Sequence, residues 1–207
     1  MKGKFVTFEG CEGVGKSRQI KMLEEYLAAA GKEYFFTREP GGTVISEKIR
    51  EIILDKDNAT MTGECEALLY AAARAQLLKE RVAPELAAGK LVICDRYIDS
   101  SFAYQGRGRG LGYEFVAAIN DYAVKNFMPD CTLFLDLPPE RAFLRKGGAD
   151  KQDRVELSGA DFHARVYEGY KELAQKYGER IAVIDSSGTR EQTHAKIIAA
   201  LKERGII

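Results

Sequence analysis

Gly10, Gly15, Lys16 and Ser17 stand at the G-x-x-x-x-G-K-[ST] spacing of a phosphate-binding loop. The chemistry of that spacing is anion capture. Gly10, Gly13 and Gly15 let the intervening backbone N–H groups, through Cys11, Glu12 and Val14, turn inward around phosphate oxygens. Lys16 then sets a cation against the β and γ groups, and the Ser17 hydroxyl suits Mg²⁺. A helix starting at the loop adds the positive end of its dipole. An apolar run, Phe5 to Phe8, precedes the loop as a buried strand should, and Ile20, Leu23 and Leu27 follow at helical spacing. The expectation is a nucleoside triphosphate ligand.

Further polar residues follow other apolar runs. Thr37-Arg38-Glu39-Pro40-Gly41-Gly42 has Arg38 beside two glycines, either a second phosphate ligand or a surface arginine in a turn. Asp95 ends the run 90 to 94, where phosphate-loop enzymes keep the acid that organises Mg²⁺. Its alternative is a helix N-cap. The adjacent Arg96 has a planar fork suited to bridging transferred and accepting phosphates, or to a structural ion pair. Tyr70 and Arg74, four apart on one helical face, could hold a planar ring between an aromatic plane and a fork. Taken alone, the pair fits core packing plus a solvated arginine as well. The basic, glycine-containing stretch from Arg145 to Arg154 reads as a lid over phosphates or as a charged surface loop. His163 and His194 fall in expected helices and read as packing or surface residues.

Positioning these groups requires alternating elements. Strands are expected at 5 to 8, 33 to 37, 90 to 94, 131 to 136 and 181 to 184. Helices are expected near 16 to 29, 44 to 54, 64 to 88, 113 to 127, 161 to 177 and 190 to 204, several closed by glycine. The strands are short and apolar on both faces, so the alternation predicts an α/β fold with a parallel sheet covered by helices on both sides. Ligands on such folds bind at the C-terminal strand ends, where the residues above fall. No linker or repeat divides the 207 residues, and one domain over 1–207 is expected.

The 31 basic and 31 acidic residues balance, so no overall field advertises nucleic acid or an acidic membrane as a partner. Cys11, Cys65, Cys94 and Cys131 form no C-x-x-C pair and read as reduced thiols. No signal-peptide or membrane-spanning pattern is seen, and the cytoplasm is the expected location.

The blocks Phe8 to Ser17, Thr37 to Gly42, Leu69-Tyr70-Ala71-Ala72-Ala73-Arg74, Asp95-Arg96-Tyr97 through Gln105-Gly106, and Asp153-Arg154-Val155-Glu156 occur in the order of bacterial thymidylate kinases, which the chain resembles over essentially its whole length. That resemblance implies γ-phosphoryl transfer from ATP to dTMP with Mg²⁺, on a three-layer phosphate-loop fold with a five-stranded parallel sheet, in a homodimer. By motif, Arg38 and Arg96 hold the dTMP phosphate, Asp95 organises the metal shell through water, and Glu12 contacts the sugar 3′-hydroxyl or the Mg²⁺ hydration sphere. Tyr70 stacks on the base, Arg74, Ser101 and Gln105 read it, and Tyr104 crowds the sugar 2′ carbon. A lid of about 145–158 is implied, with Arg145 and Arg154 expected as its catalytic cations over Lys146 and Lys151. Arg18 replaces the threonine common in these loops. Some relatives carry a cis-proline near the phosphate site, and the Glu39-Pro40 peptide is expected to be cis. Two other readings stand beside this one: a non-catalytic ATP-binding regulator, and a kinase for a different acceptor.

Overall fold

The computed structural model describes residues 3–146 and 153–207. Five parallel strands, β1 (Phe5–Glu9), β2 (Tyr34–Arg38), β3 (Leu91–Asp95), β4 (Cys131–Asp136) and β5 (Ile181–Asp185), form one sheet in the order β2-β3-β1-β4-β5. The central strand β1 pairs with β3 from Phe5↔Val92 to Phe8↔Asp95, and with β4 from Val6↔Cys131 to Glu9↔Phe134. Chain order therefore reverses direction on either side of β1. This is the switch point at which doubly wound sheets open a crevice beyond the carboxyl ends of their strands.

The strands form where apolar runs can be buried on both faces. Val6, Phe8, Val92, Ile93, Leu133 and Leu135 are fully buried, and each such side chain contributes roughly 1.5–3 kcal/mol over its exposed state. Helices α1 (Lys16–Ala29) and α10 (Arg190–Glu203) pack against each other and present Ile20, Leu23, Leu27, Ile197 and Leu201 to the core. Four of the five strands run one residue beyond the expected apolar stretch, to Glu9, Arg38, Asp95 and Asp185. Those charged residues are invisible to apolar patterning because they sit where the sheet meets the crevice.

The remaining helices complete the fold. They are α2 (Val44–Leu54), α3 (Gly63–Leu77), α4 (Ala83–Ala87), α5 (Ile98–Ser101), α6 (Tyr113–Ile119), α7 (Asp121–Asn126), α8 (Pro139–Lys146) and α9 (Ala160–Lys176). Among them α2, α3, α5 and α9 supply side chains to the crevice. The single helix expected at 64 to 88 is instead α3 and α4 joined by a π-helical turn at Leu78–Val82, ahead of Pro84, whose missing N–H cannot serve an ordinary α-helical bond. The helix expected at 113 to 127 breaks at Asn120, between α6 and α7. A second π-helical segment, Phe102–Gly108, extends α5 and packs closely on α9: a Cβ at Gly169 would come within 3.1 Å of the Ala103 Cα. Among the described residues no helix is long and apolar enough to cross a membrane.

Candidate active site

Gly10 has φ of 136°, and a Cβ there would meet the Leu135 carbonyl oxygen at 2.7 Å, so only glycine lets the chain leave β1 beside β4. Gly15 (φ 99°) then caps α1, directing the first turn of that helix at the loop. Lys16 is buried, and its Nζ donates to the carbonyls of Gly10 and Cys11, both at 3.0 Å. Burial pushes its ammonium below the ordinary lysine value, with Arg96 adding to the push. Removal of water from around Cys11 raises its thiol to about 11, leaving it protonated at neutral pH. All four cysteines are free thiols, and only Cys65 is exposed.

On the β3 side, Asp95 and Arg96 follow the strand directly. The Asp95 Oδ1 is buried with no hydrogen-bond partner, as an oxygen awaiting a cation or its water would be. Arg96 adopts φ 66°, the left-handed region that a non-glycine residue avoids unless its surroundings over-determine it. Its Nη1 donates to Gly10 O at 3.0 Å, Ser100 Oγ at 3.3 Å and Tyr170 Oη at 3.2 Å. Nη2 pairs with Glu12, and the guanidinium lies 5.1 Å over the Tyr104 ring.

Beyond Arg96 a cleft of about 370 Å³ is lined by Glu12, Arg38, Tyr70, Arg74, Asp95, Ser101, Tyr104 and Gln105, among others. The expected acceptor-side residues are thus brought together from five separate segments. Arg38 is half exposed and salt-bridged to Glu47 at 2.9 Å. Arg74 is almost fully buried and its fork is already held: Nε donates to Glu39 at 2.8 Å, Nη1 to Asn120 Oδ1 at 2.6 Å and Nη2 to Ser101 Oγ at 3.0 Å. Burial raises the Glu39 carboxyl to about 7 against the pull of Arg74. Gln105 donates to Glu66 at 2.9 Å. The Glu39-Pro40 peptide is cis, as expected.

Arg145 and Arg154 do not converge. Arg154 is folded onto α2 and α3, donating to Ile53 O at 2.8 Å and Glu66 Oε2 at 2.6 Å, and it does not line the cleft. Arg145 donates to the carbonyls of Ser186 at 2.6 Å and Ser187 at 2.8 Å, on the opposite side of the phosphate loop. There it borders a second cavity, about 420 Å³, with Gly188, Thr189 and Arg190. Gly15 and Arg18 line both cavities, so the loop forms the partition between them. Lys151 lies outside the described residues, as does the side chain of Lys146.

Sequence reasoning missed four buried acids and amides. Glu9 and Glu39 each showed one signal, a carboxylate at the polar end of an apolar strand. Glu66 accepts from Gln105, Arg109 and Arg154; burial works against its charge, but those donors hold the carboxyl below its usual range. Asn120 gave no signal beyond interrupting a helical pattern. Its Nδ2 donates to Val116 O at 2.9 Å, which turns the amide oxygen toward Arg74.

Comparison with known proteins supplies the family. The family model for thymidylate kinase matches residues 8–197. A thymidylate kinase from Clostridium novyi (strain NT) is 48% identical over 203 residues, covering 97% of this chain and 99% of its own. Those from Thermoanaerobacter sp. (strain X514) and Geobacillus sp. (strain WCH70) are 45% and 43% identical, each over at least 98% of both chains.

Proposed function

The chain belongs to the thymidylate kinase family and is an ATP-dependent phosphotransferase that converts dTMP to dTDP, and we propose that its phosphate loop separates a donor cavity from an acceptor cleft. The observation that carries this division is the loop itself, with Gly15 and Arg18 bordering both cavities. ATP lies with its β and γ phosphates on the loop and its nucleoside toward Arg145 and the 186–190 segment. The dTMP phosphate lies between Arg38 and Arg96, and the thymine lies against Tyr70 and Arg74. Glu12 and Tyr104 border the sugar, and Ser101 and Gln105 support the base side.

Ser17 and Asp95 are the residues that would hold Mg²⁺, Asp95 through water. Hard oxygen donors suit that ion, and the unpartnered Asp95 Oδ1 supports the fit. Held by these residues, the ion would supply positive charge against the β and γ phosphates of ATP.

In the transfer, a dTMP phosphate oxygen forms the new bond to the γ phosphorus while the bond from that phosphorus to the β–γ bridging oxygen breaks, and ADP leaves with the electron pair. A phosphate oxygen is already nucleophilic, so no strong base is needed. Lys16 and Arg96 stabilise the developing charge. In the structure both are occupied by protein acceptors, Lys16 by loop carbonyls and Arg96 by Gly10 O and Glu12. Phosphates therefore exchange with ready-made contacts of similar geometry and do not have to recruit distant side chains. Arg145 reaches over the donor, and Arg154 ties the far end of the lid segment to Glu66.

Two copies of the chain form the working unit in this reading. Cys65, Leu68, Ala72 and Ala75 make an exposed stripe of small and apolar residues along α3, next to exposed Val44, Ile45 and Ile52 on α2. Small residues at that spacing allow a second helix to approach closely.

An acceptor screen tests the division. Arg74 carries only donors and suits the O4 of thymine, whereas cytosine turns an amino donor toward it. Loss of one methyl group costs only about 1–3 kcal/mol in an apolar pocket. The expected order in kcat/KM at saturating Mg-ATP is dTMP, then dUMP, with dCMP far behind. If dCMP equals dUMP, Arg74 is not the base reader.

A further inference from the structure

Glu9 lies one layer behind Arg96, fully buried, and takes no part in the contacts assigned above. Its Oε1 accepts from the Tyr97 N–H at 2.8 Å, the peptide immediately after the left-handed Arg96. Its Oε2 accepts from the Ser100 hydroxyl at 2.6 Å and the Tyr170 hydroxyl at 2.9 Å. Those same two oxygens accept from the Arg96 guanidinium. Each hydroxyl has one hydrogen. When it is spent on Glu9, the lone pairs are left facing Arg96.

We propose that Glu9 is a positioning residue for phosphoryl transfer: by orienting the Ser100 and Tyr170 hydroxyls and fixing the turn at Tyr97, its carboxylate holds the Arg96 guanidinium at the cleft. The inference rests on the reading of Arg96 as a phosphate-binding, charge-stabilising group. A neutral Glu9 cannot do the same. A proton on Oε2 displaces one of the two hydroxyls, whose hydrogen then turns to its neighbour 2.8 Å away and changes which lone pairs face Arg96, and a proton on Oε1 confronts the Tyr97 N–H and loosens the turn that follows Arg96. The aromatic face of Phe134, stacked on Tyr170 at 5.2 Å between centroids, keeps the Tyr170 hydroxyl from swinging away.

The charges facing Glu9 come from every side. Asp99 on α5 opposes its ionisation, while Arg96 after β3 and the Tyr170 and Ser100 hydroxyls favour it. Arg74 on α3, Arg180 before β5 and Cys94 on β3 also feel its charge. Burial, with Asp99 second, raises the carboxyl to about 7. The competent, charged form therefore accumulates as pH rises through neutrality.

Glu9→Gln keeps the shape and removes the charge. The expected result is a kcat lower by about 100-fold, the scale of a misplaced catalytic group, with KM for ATP nearly unchanged. Wild-type kcat should rise with pH through an inflection near 7 that the variant lacks. Because Glu9 acts through Arg96, Glu9→Gln combined with Arg96→Ala should be no slower than Arg96→Ala alone. Tyr170→Phe, which deletes one relay hydroxyl, is run through the same cycle and decides the matter if Glu9→Gln does not fold. A variant with full kcat and the wild-type pH profile, or with losses that multiply with those of Arg96→Ala, overturns the proposal. Arg96→Ala with undiminished kcat would instead overturn the reading of Arg96 on which it rests.

Discussion

Lys16 and Arg96 illustrate how a cation can be kept ready in a site before its substrate arrives. Each is largely removed from water and satisfied by oxygens of the phosphate loop, so in the proposed transfer neither has to be desolvated. Lys16→Ala and Arg96→Ala should each lower kcat by about 100-fold or more, the scale of losing one preorganised donor, while circular dichroism shows a folded chain. A raised KM with near-normal kcat would mean that the residue contributes uniform binding. Arg74 is held more tightly still, by Glu39, Asn120 and Ser101. Its substitution by Ala strands a buried carboxylate and costs stability as well as base choice, so the informative change is narrowing of the gap between dUMP and dCMP in kcat/KM. Glu12 and Arg96, adjacent in the site, were both legible from motif spacing. Their pairing was not, because no local pattern encodes a contact between residues 84 apart.

Among the elements, α3 carries two faces with different tasks. Its inner face holds Glu66, Arg74 and Leu77, all buried, and its outer face shows Cys65, Leu68, Ala72 and Ala75. Helical periodicity alone finds both faces but cannot say which is buried in this chain and which is left for the proposed second copy. Leu68, 52% exposed, is the test position. Leu68→Glu should shift the chain from dimer toward monomer in light scattering, since an unpaired carboxylate at a buried contact costs several kcal/mol, roughly the range for an isolated buried charge or polar group. An unchanged mass would place any interface elsewhere. Helical periodicity does not distinguish the π-helical segments at Leu78–Val82 and Phe102–Gly108 from ordinary turns, because the widening of a turn is set by Pro84 and by close packing on Gly169.

For the molecule as a whole, burial of carboxylates couples stability to pH. Glu9 and Glu39 are raised from 4.5 to about 7, so between those values the folded chain binds protons that the unfolded chain has released. Stability contributed by the neutral forms is present at low pH and lost as pH rises through 7. From pH 8 to pH 5.5 each group should add about 2 kcal/mol, at 1.36 kcal/mol per unit. His194, lowered by burial, opposes this on the acid side. Glu66 is depressed, so its contribution is present above the unfolded carboxylate range and fades only below it. Calorimetry should find Tm several degrees higher at pH 5.5 than at pH 8, at about 2–4 °C per kcal/mol for a chain of this size. A Tm that rises with pH across that interval contradicts the assignment. Glu9 then favours stability when neutral and transfer when charged.

Glycine spacing, apolar runs and helical periodicity were enough to indicate the parallel sheet, the loop after β1 and candidate positions such as Arg38, Tyr70, Arg74, Asp95 and Arg96, because these depend on backbone geometry and side-chain type within a few positions of each other, whereas Glu12, Ser101, Tyr104 and Gln105 were expected on the acceptor side only through the family resemblance. Strand order, the partition of two cavities by the loop, and the burial of Glu9, Glu66 and Asn120 against arginines far along the chain depended on the tertiary structure. Arg154 makes the distinction concrete. Its charge and its place beside the lid suggested the transferring phosphate, but long-range packing put a buried Glu66 within 2.6 Å, and the nearer, desolvated carboxylate takes the guanidinium.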